Sequence, residues 1–107
     1  MFKVNVFIPK DNVEKVKLAM FEAGAGKIGN YDCCSWQVLG EGQFRPLKGS
    51  HPTIGNENVV EIVSEYKVEM VCQRSLIEEV VKAMKEAHVY EEPAYEIISL
   101  VDELNLT

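Results

Sequence analysis

Between Ala87 and Tyr95 the chain reads Ala-His-Val-Tyr-Glu-Glu-Pro-Ala-Tyr. It offers one imidazole (His88), two phenols (Tyr90, Tyr95) and two adjacent carboxylates (Glu91, Glu92). Imidazole beside carboxylate can hold a divalent transition ion or carry a proton. Pro93 fixes its own φ and drives Glu92 toward extended geometry, so a helix arriving here must stop. A second polar group lies on a glycine- and proline-rich stretch: Arg45, Lys48 and His51. Arg45 and Lys48 suit the anionic part of a ligand. Tyr90, Glu91 and Glu92 are the ligand-facing candidates of the first group. His88 and His51 are the candidate metal ligands, for a divalent cation as the one cofactor considered. The plainer alternative has His88 capping carbonyls at a helix end, with Glu91 and Glu92 solvated.

Two further groupings carry less chemistry. Gly24-Ala25-Gly26-Lys27-Ile28-Gly29 could present backbone N–H groups to an anion. It follows a helix and precedes a strand, the reverse of a phosphate-binding loop, so turn formation explains its glycines better. Cys33, Cys34 and Cys72 are an odd number without C-x-x-C spacing, which predicts reduced thiols. Cys33 or Cys34 is expected across a sheet from Cys72, as buried thiols or, as the alternative, a soft-metal or redox pair.

The whole chain bounds these options. Its 107 residues predict one domain, 1–107, and an apolar content of 47% supplies one small core. A net charge of −6 argues against nucleic acid and against an anionic membrane surface as partners. No apolar run approaches a membrane span, and Met1-Phe2-Lys3-Val4 alternates like a strand rather than a leader. The expectation is a cytoplasmic protein.

The elements that must position the chemistry follow from periodicity. Phe2, Val4, Val6 and Ile8 alternate as a half-buried strand ended by Pro9. Asp11 or Asn12 then caps a helix carrying Val13, Val16, Met20 and Ala23 on one stripe, stopped by Gly24. Tyr31–Leu39 reads as the second strand. Gly40–Asn58 reads as a long loop, with a short strand at Phe44-Arg45. Val59–Cys72 is the third strand. Ser75 through Glu78 fits a capping box opening a helix with Leu76, Ile77, Val80, Val81, Met84 and Ala87 on its stripe. Tyr95–Val101 is the last strand, and 102–107 a polar tail.

This order predicts an α+β fold: a ferredoxin-like βαββαβ plait with an antiparallel sheet in the order 4-1-3-2. Both helices lie on one face, and a long loop joins strands two and three. Reversing direction at each connection places that loop and the 87–95 junction at the same edge. Trp36 or Val38, Val63, Val71 and Ile98 fall on the face without helices, which predicts association of copies through the sheet.

Several stretches together resemble a known family. They are Phe21 through Gly26, Ile28-Gly29-Asn30-Tyr31, Cys34-Ser35, Gly40 through Pro46, Gly49, Pro52, Ile54-Gly55 and Ala87 through Tyr95. They resemble the PII/CutA-like domain inserted in YqfO-type proteins of the Nif-three family. The junction is also similar to the His-Pro-Tyr-Glu-x-Pro segment of CutA, the divalent-cation tolerance protein, with Val89 where that segment has proline. The resemblance implies a trimer of ferredoxin-like subunits, with small ligands held between subunits near the loop joining strands two and three. It also implies that the catalytic Nif-three halves, which carry a two-metal site, are not part of this sequence.

Three functions are therefore weighed. The first is a non-enzymatic, oligomeric regulatory module binding a small ligand or divalent cation. The second is a protein-interaction or structural trimer with no small ligand. The third is an enzyme using His88, Glu91 and Glu92 for acid–base work, for which the sequence shows neither a nucleophile–base pair nor a phosphate loop.

Overall fold

Strand β1, Phe2–Pro9, lies at the centre of the sheet because its even-numbered residues are the most completely apolar in the chain: Val4, Val6 and Ile8 are fully buried. The structure is a computed structural model, and it describes residues 1–101. The tail expected at 102–107 lies outside the described residues. After β1 come a short 3-10 turn (Lys10–Asn12), helix α1 (Val13–Glu22), strand β2 (Trp36–Phe44) and strand β3 (Glu61–Cys72). A second 3-10 turn (Arg74–Leu76), helix α2 (Ile77–Ala87) and strand β4 (Tyr95–Ser99) complete the order. The sheet runs β2-β3-β1-β4 with every neighbouring pair antiparallel, the expected order read from the other edge.

The register sorts the side chains. Val6 stands opposite Val68 on one side and Tyr95 on the other. Val4, Val6, Ile8, Val68, Met70 and Cys72 thus share a face and meet Val16 and Met20 of α1 and Val80 and Met84 of α2. Burying each such side chain contributes about 1.5–3 kcal/mol, and the pattern is the one periodicity predicts for both helices. The opposite face carries no helix. It presents Lys3 in an ion pair with Glu69, and exposes Trp36, Val38 and Ile98. Asn5, at its centre, is buried; its Nδ2 donates to Glu96 Oε1 at 3.5 Å, and its Oδ1 has no partner among the described residues.

The second strand departs from expectation. It spans Trp36–Phe44 rather than Tyr31–Leu39. Tyr31–Ser35 alternates in sequence, but Cys33 adopts a left-handed backbone (φ 54°), which ends extended geometry. Gly26 occupies the place expected for a cysteine. Its N–H donates to the Val71 carbonyl at 2.8 Å, and its own carbonyl accepts the Cys34 N–H at 2.8 Å. Cys33 is exposed, Cys34 half-buried and Cys72 buried, all as free thiols, and the expected alignment across the sheet does not form.

At the other end, Gly40 and Gly42 belong to β2 rather than to the loop, which shortens to residues 45–60; β3 begins at Glu61 instead of Val59. Gly42 has a steric reason: a Cβ there would run into the carboxylate of Glu65 on the neighbouring strand. Gly24 ends α1 as expected, with φ at 112° and Leu76 against its Cα.

Neither expected helix cap forms. The Ser75–Glu78 box is replaced by the 3-10 turn, in which the Leu76 N–H bonds the Gln73 carbonyl and Leu76 takes the N-cap position. Asn12 does precede α1, but its side chain is committed elsewhere, as described below.

The β2–β3 ribbon runs beyond the helices. The molecule measures 53 × 26 × 24 Å with a radius of gyration of 15.3 Å, against about 13 Å for a compact chain of this size. Ile62 and Leu39 on one face of the ribbon, and Trp36 and Val38 on the other, are exposed. At the far side of the sheet β1 and β4 lie side by side, and the Leu100 N–H donates to the Met1 carbonyl at 3.0 Å. Among the described residues no helix is long and apolar enough to cross a membrane.

Candidate functional site

Helix α2 ends at Ala87, and His88 turns the chain into extended geometry (φ −72°, ψ 140°). Asn12 clamps this exit. Its Nδ2 donates to the Ala87 carbonyl at 3.3 Å, and its Oδ1 accepts the Val89 N–H at 2.9 Å. A residue read as a helix cap is instead a tie between the start of α1 and the end of α2.

His88 is buried beneath this exit. Its Nε2 lies 2.8 Å from the Phe7 carbonyl, and its Nδ1 accepts the Tyr90 N–H at 3.0 Å. A carbonyl can only accept, so the ring is the neutral Nε2–H form. Burial holds its pKa below the usual histidine value, opposed by the Phe7 carbonyl and by the charge of Glu65. Both nitrogens are engaged, so His88 offers no lone pair to a cation. His88 does cap α2, but through its backbone, whose N–H donates to the Met84 carbonyl at 2.9 Å, while its ring ties the junction to β1.

That tie aims Tyr90. Its ring packs against His88 (centroids 5.2 Å apart) and edge-on to Phe44 (5.5 Å). Its hydroxyl donates to Glu65 Oε2 at 2.8 Å. Burial, and then the Glu65 carboxylate, push the phenol pKa well above its ordinary value. Glu65 is only 9% exposed, although it stands on the face without helices.

The loop closes over the same place. The His51 N–H donates to Glu91 Oε1 at 3.2 Å, and Thr53 Oγ1 donates to the Val89 carbonyl at 2.8 Å. The Asn58 N–H bonds the carbonyl of buried Pro46 at 2.7 Å, holding the base of the loop together. The result is a cleft of about 390 Å³. Phe7, Phe44, Tyr90 and Pro46 supply apolar walls, and Glu65, Glu91, Glu92 and Arg45 supply charge.

The structure thus brings Arg45, Tyr90, Glu91 and Glu92 together around one cavity. Lys48 and His51 are exposed and do not line it; His51 takes part through its backbone. The two histidines form no joint ligand set, and among the described residues no group of three or more His, Cys, Asp or Glu is placed to hold a metal. Sequence reasoning missed Glu65 and Asn12. Glu65 falls in the same alternating phase as Glu61, Lys67 and Glu69, so nothing local marks it as the buried one.

No family model matches the chain. It is 49% identical over 96 residues to the "GTP cyclohydrolase 1 type 2 homolog" of Mycobacterium tuberculosis, covering 90% of the chain and 25% of that protein. It is 40% identical over 103 residues to the protein of the same name from Halalkalibacterium halodurans, covering 96% and 28%. It superimposes on a Bacillus cereus protein related to NIF3 with a TM-score of 0.80 at 40% identity, covering 92% of the chain and 25% of that one. The chain is thus similar to one segment of NIF3-related proteins. It spans about a quarter of the length of the curated relatives it matches. Its fold is shared with CutA from Archaeoglobus fulgidus (TM-score 0.68, 17% identity, 98% and 89% covered). The PII-like protein CutA from Nostoc shares it too (0.69, 19%, 99% and 86%).

Proposed function

We propose that this domain is a non-enzymatic regulatory module that binds a small ligand in the cleft between the 45–60 loop and the 87–95 junction. The observation that carries this reading is the cleft itself. Two segments far apart in sequence are hydrogen-bonded to each other around a cavity of about 390 Å³, with aromatic walls and four charged side chains. That size is within the range of ordinary small-molecule sites, about 300–1,000 Å³. The relatives are named as cyclohydrolase homologues, and in the longer proteins that contain it the domain would report ligand occupancy to the rest of the chain. We place it in the cytoplasm, working as a homo-oligomer, with a trimer favoured. Trp36, Val38 and Ile98 on the sheet face without helices, and Ile62 and Leu39 on the ribbon, are the apolar surface that association would cover.

Calorimetry of the isolated chain against nucleotides and against divalent metal ions tests this reading. Binding that Arg45→Ala or Glu91→Ala weakens is expected. A protein that takes up neither class sinks the ligand-binding role and favours a purely structural trimer. Sedimentation of Trp36→Glu tests assembly, with a shift toward monomer expected.

A further inference from the structure

The charge inside the cleft is unbalanced, and the imbalance points to what would fill it. Glu65 is 9% exposed. Among the described residues its one hydrogen-bond donor is the hydroxyl of Tyr90, which satisfies one carboxylate oxygen. Among the described residues no lysine, arginine or histidine lies within ion-pair distance of it. Its second oxygen has no hydrogen-bond partner among the described residues and is not sealed from solvent, so a carboxylate held nearly buried keeps one oxygen for a donor that arrives from outside. The side chain is nevertheless held in place: Gly42 leaves the space its carboxylate occupies, and Tyr90 is itself fixed by His88. Glu91 and Glu92 line the same cavity, against Arg45 as the one basic lining residue among the described residues. The walls beside Glu65 are the rings of Phe7, Phe44 and Tyr90. Aromatic faces next to carboxylates favour organic cations, whose apolar body the rings cover while the carboxylate meets the charge.

We infer that the cleft takes a ligand bearing a cationic nitrogen, an organic ammonium or guanidinium, seated against Glu65 beside the rings of Phe44 and Tyr90. This rests on the reading of the cleft as a ligand site and adds the chemical class. The ammonium or guanidinium N–H groups donate to the free lone pairs of Glu65, and the Tyr90 hydroxyl keeps its bond to the other oxygen. Arg45 is left to meet an anionic group elsewhere on the same molecule, so a zwitterion fits as well as a simple amine.

Three probes of equal size and different charge test it: benzylammonium, benzyl alcohol and benzoate, titrated into the full chain near neutral pH and followed by calorimetry and amide chemical shifts. Benzylammonium is expected to bind about tenfold or more tighter than the other two, the factor of a charge-assisted bond, with shifts at Gly42 and Tyr90. Glu65→Gln is expected to remove that preference and to melt no lower than wild type, since it discharges the buried group. Should Glu65→Gln not fold, Tyr90→Phe decides, because it keeps the carboxylate and must keep the preference. Equal or stronger binding of benzoate or benzyl alcohol in the cleft overturns the cationic class and leaves the cleft as a ligand site. Failure of all three probes overturns the inference. If nucleotides and metals also fail, the ligand-site reading falls with it. If Glu65→Gln then also changes the association state, the cation is supplied by a second copy of the chain.

Discussion

The Tyr90 hydroxyl sits 2.8 Å from Glu65 Oε2, joining the turn after α2 to the middle of β3. Through this bond a loop residue buries a carboxylate on the open face of a sheet. Removing the hydroxyl leaves that carboxylate without its donor. Tyr90→Phe is therefore expected to cost about 1.5–3 kcal/mol in urea denaturation, the range for a hydrogen bond to a charged group. In a Glu65→Gln background the cost should shrink to about 1 kcal/mol, the neutral–neutral value. Equal losses in both backgrounds would show that Tyr90 acts only through ring packing.

His88 makes stability pH-dependent in a defined direction. Its folded pKa lies below the ordinary 6.5 because the ring is buried. The unfolded chain then binds the extra proton more readily, so the contribution is present above pH 6.5 and is lost as pH falls through the folded pKa. Protonation would also place a hydrogen on Nδ1, against the Tyr90 N–H. The midpoint of urea unfolding in wild type should fall more between pH 7.5 and pH 5 than in His88→Gln. A parallel fall in both would assign the acid sensitivity to carboxylates alone.

Gly42→Ala tests whether the cleft floor is held or merely occupied. The added methyl meets the Glu65 carboxylate, so the side chain must leave Tyr90 or the strands must part, at about 1–3 kcal/mol. Because Glu65 is the obstacle, Glu65→Ala should remove most of that cost, and thermal melts of the single and double variants measure the non-additivity. Additive losses would place the strain in the β2 backbone.

Asn12→Ala removes both ties to the end of α2. The expected loss is about 1–3 kcal/mol, for two hydrogen bonds to a partly exposed backbone. The more specific signature is local: the Val89 amide should exchange with solvent faster, while core amides such as Val6 slow or hasten only with global stability. An unchanged Val89 amide would deny Asn12 its clamping role.

The fold was legible because its signals are periodic. Val4-x-Val6-x-Ile8 and the Val80–Met84 spacing leave one burial pattern open to each element, and the alternation of strands with helices leaves few layouts. The meeting of the 45–60 loop with the junction was legible for the same reason, since it follows from chain direction. What resisted was set by tertiary contact. Tyr31–Ser35 alternates as well as any strand, yet β3 takes the loop through Gly26 instead. Glu65 looks like its solvated neighbours and is buried by a tyrosine from elsewhere. His88 and Asn12 carry strong local associations, with metals and with caps, yet the side chain of each binds a backbone group distant in sequence.

The bond from Leu100 to the Met1 carbonyl carries a consequence for the longer relatives. A longer polypeptide that carried this module as an insert would leave and rejoin it at neighbouring points, as at a surface turn. Were the module an insert within a longer chain, excising residues 2–100 and closing the gap with a short glycine-containing turn would be expected to leave the segments on either side in register. The same geometry gives any twist of β1 against β4 a direct mechanical route into whatever is joined to them.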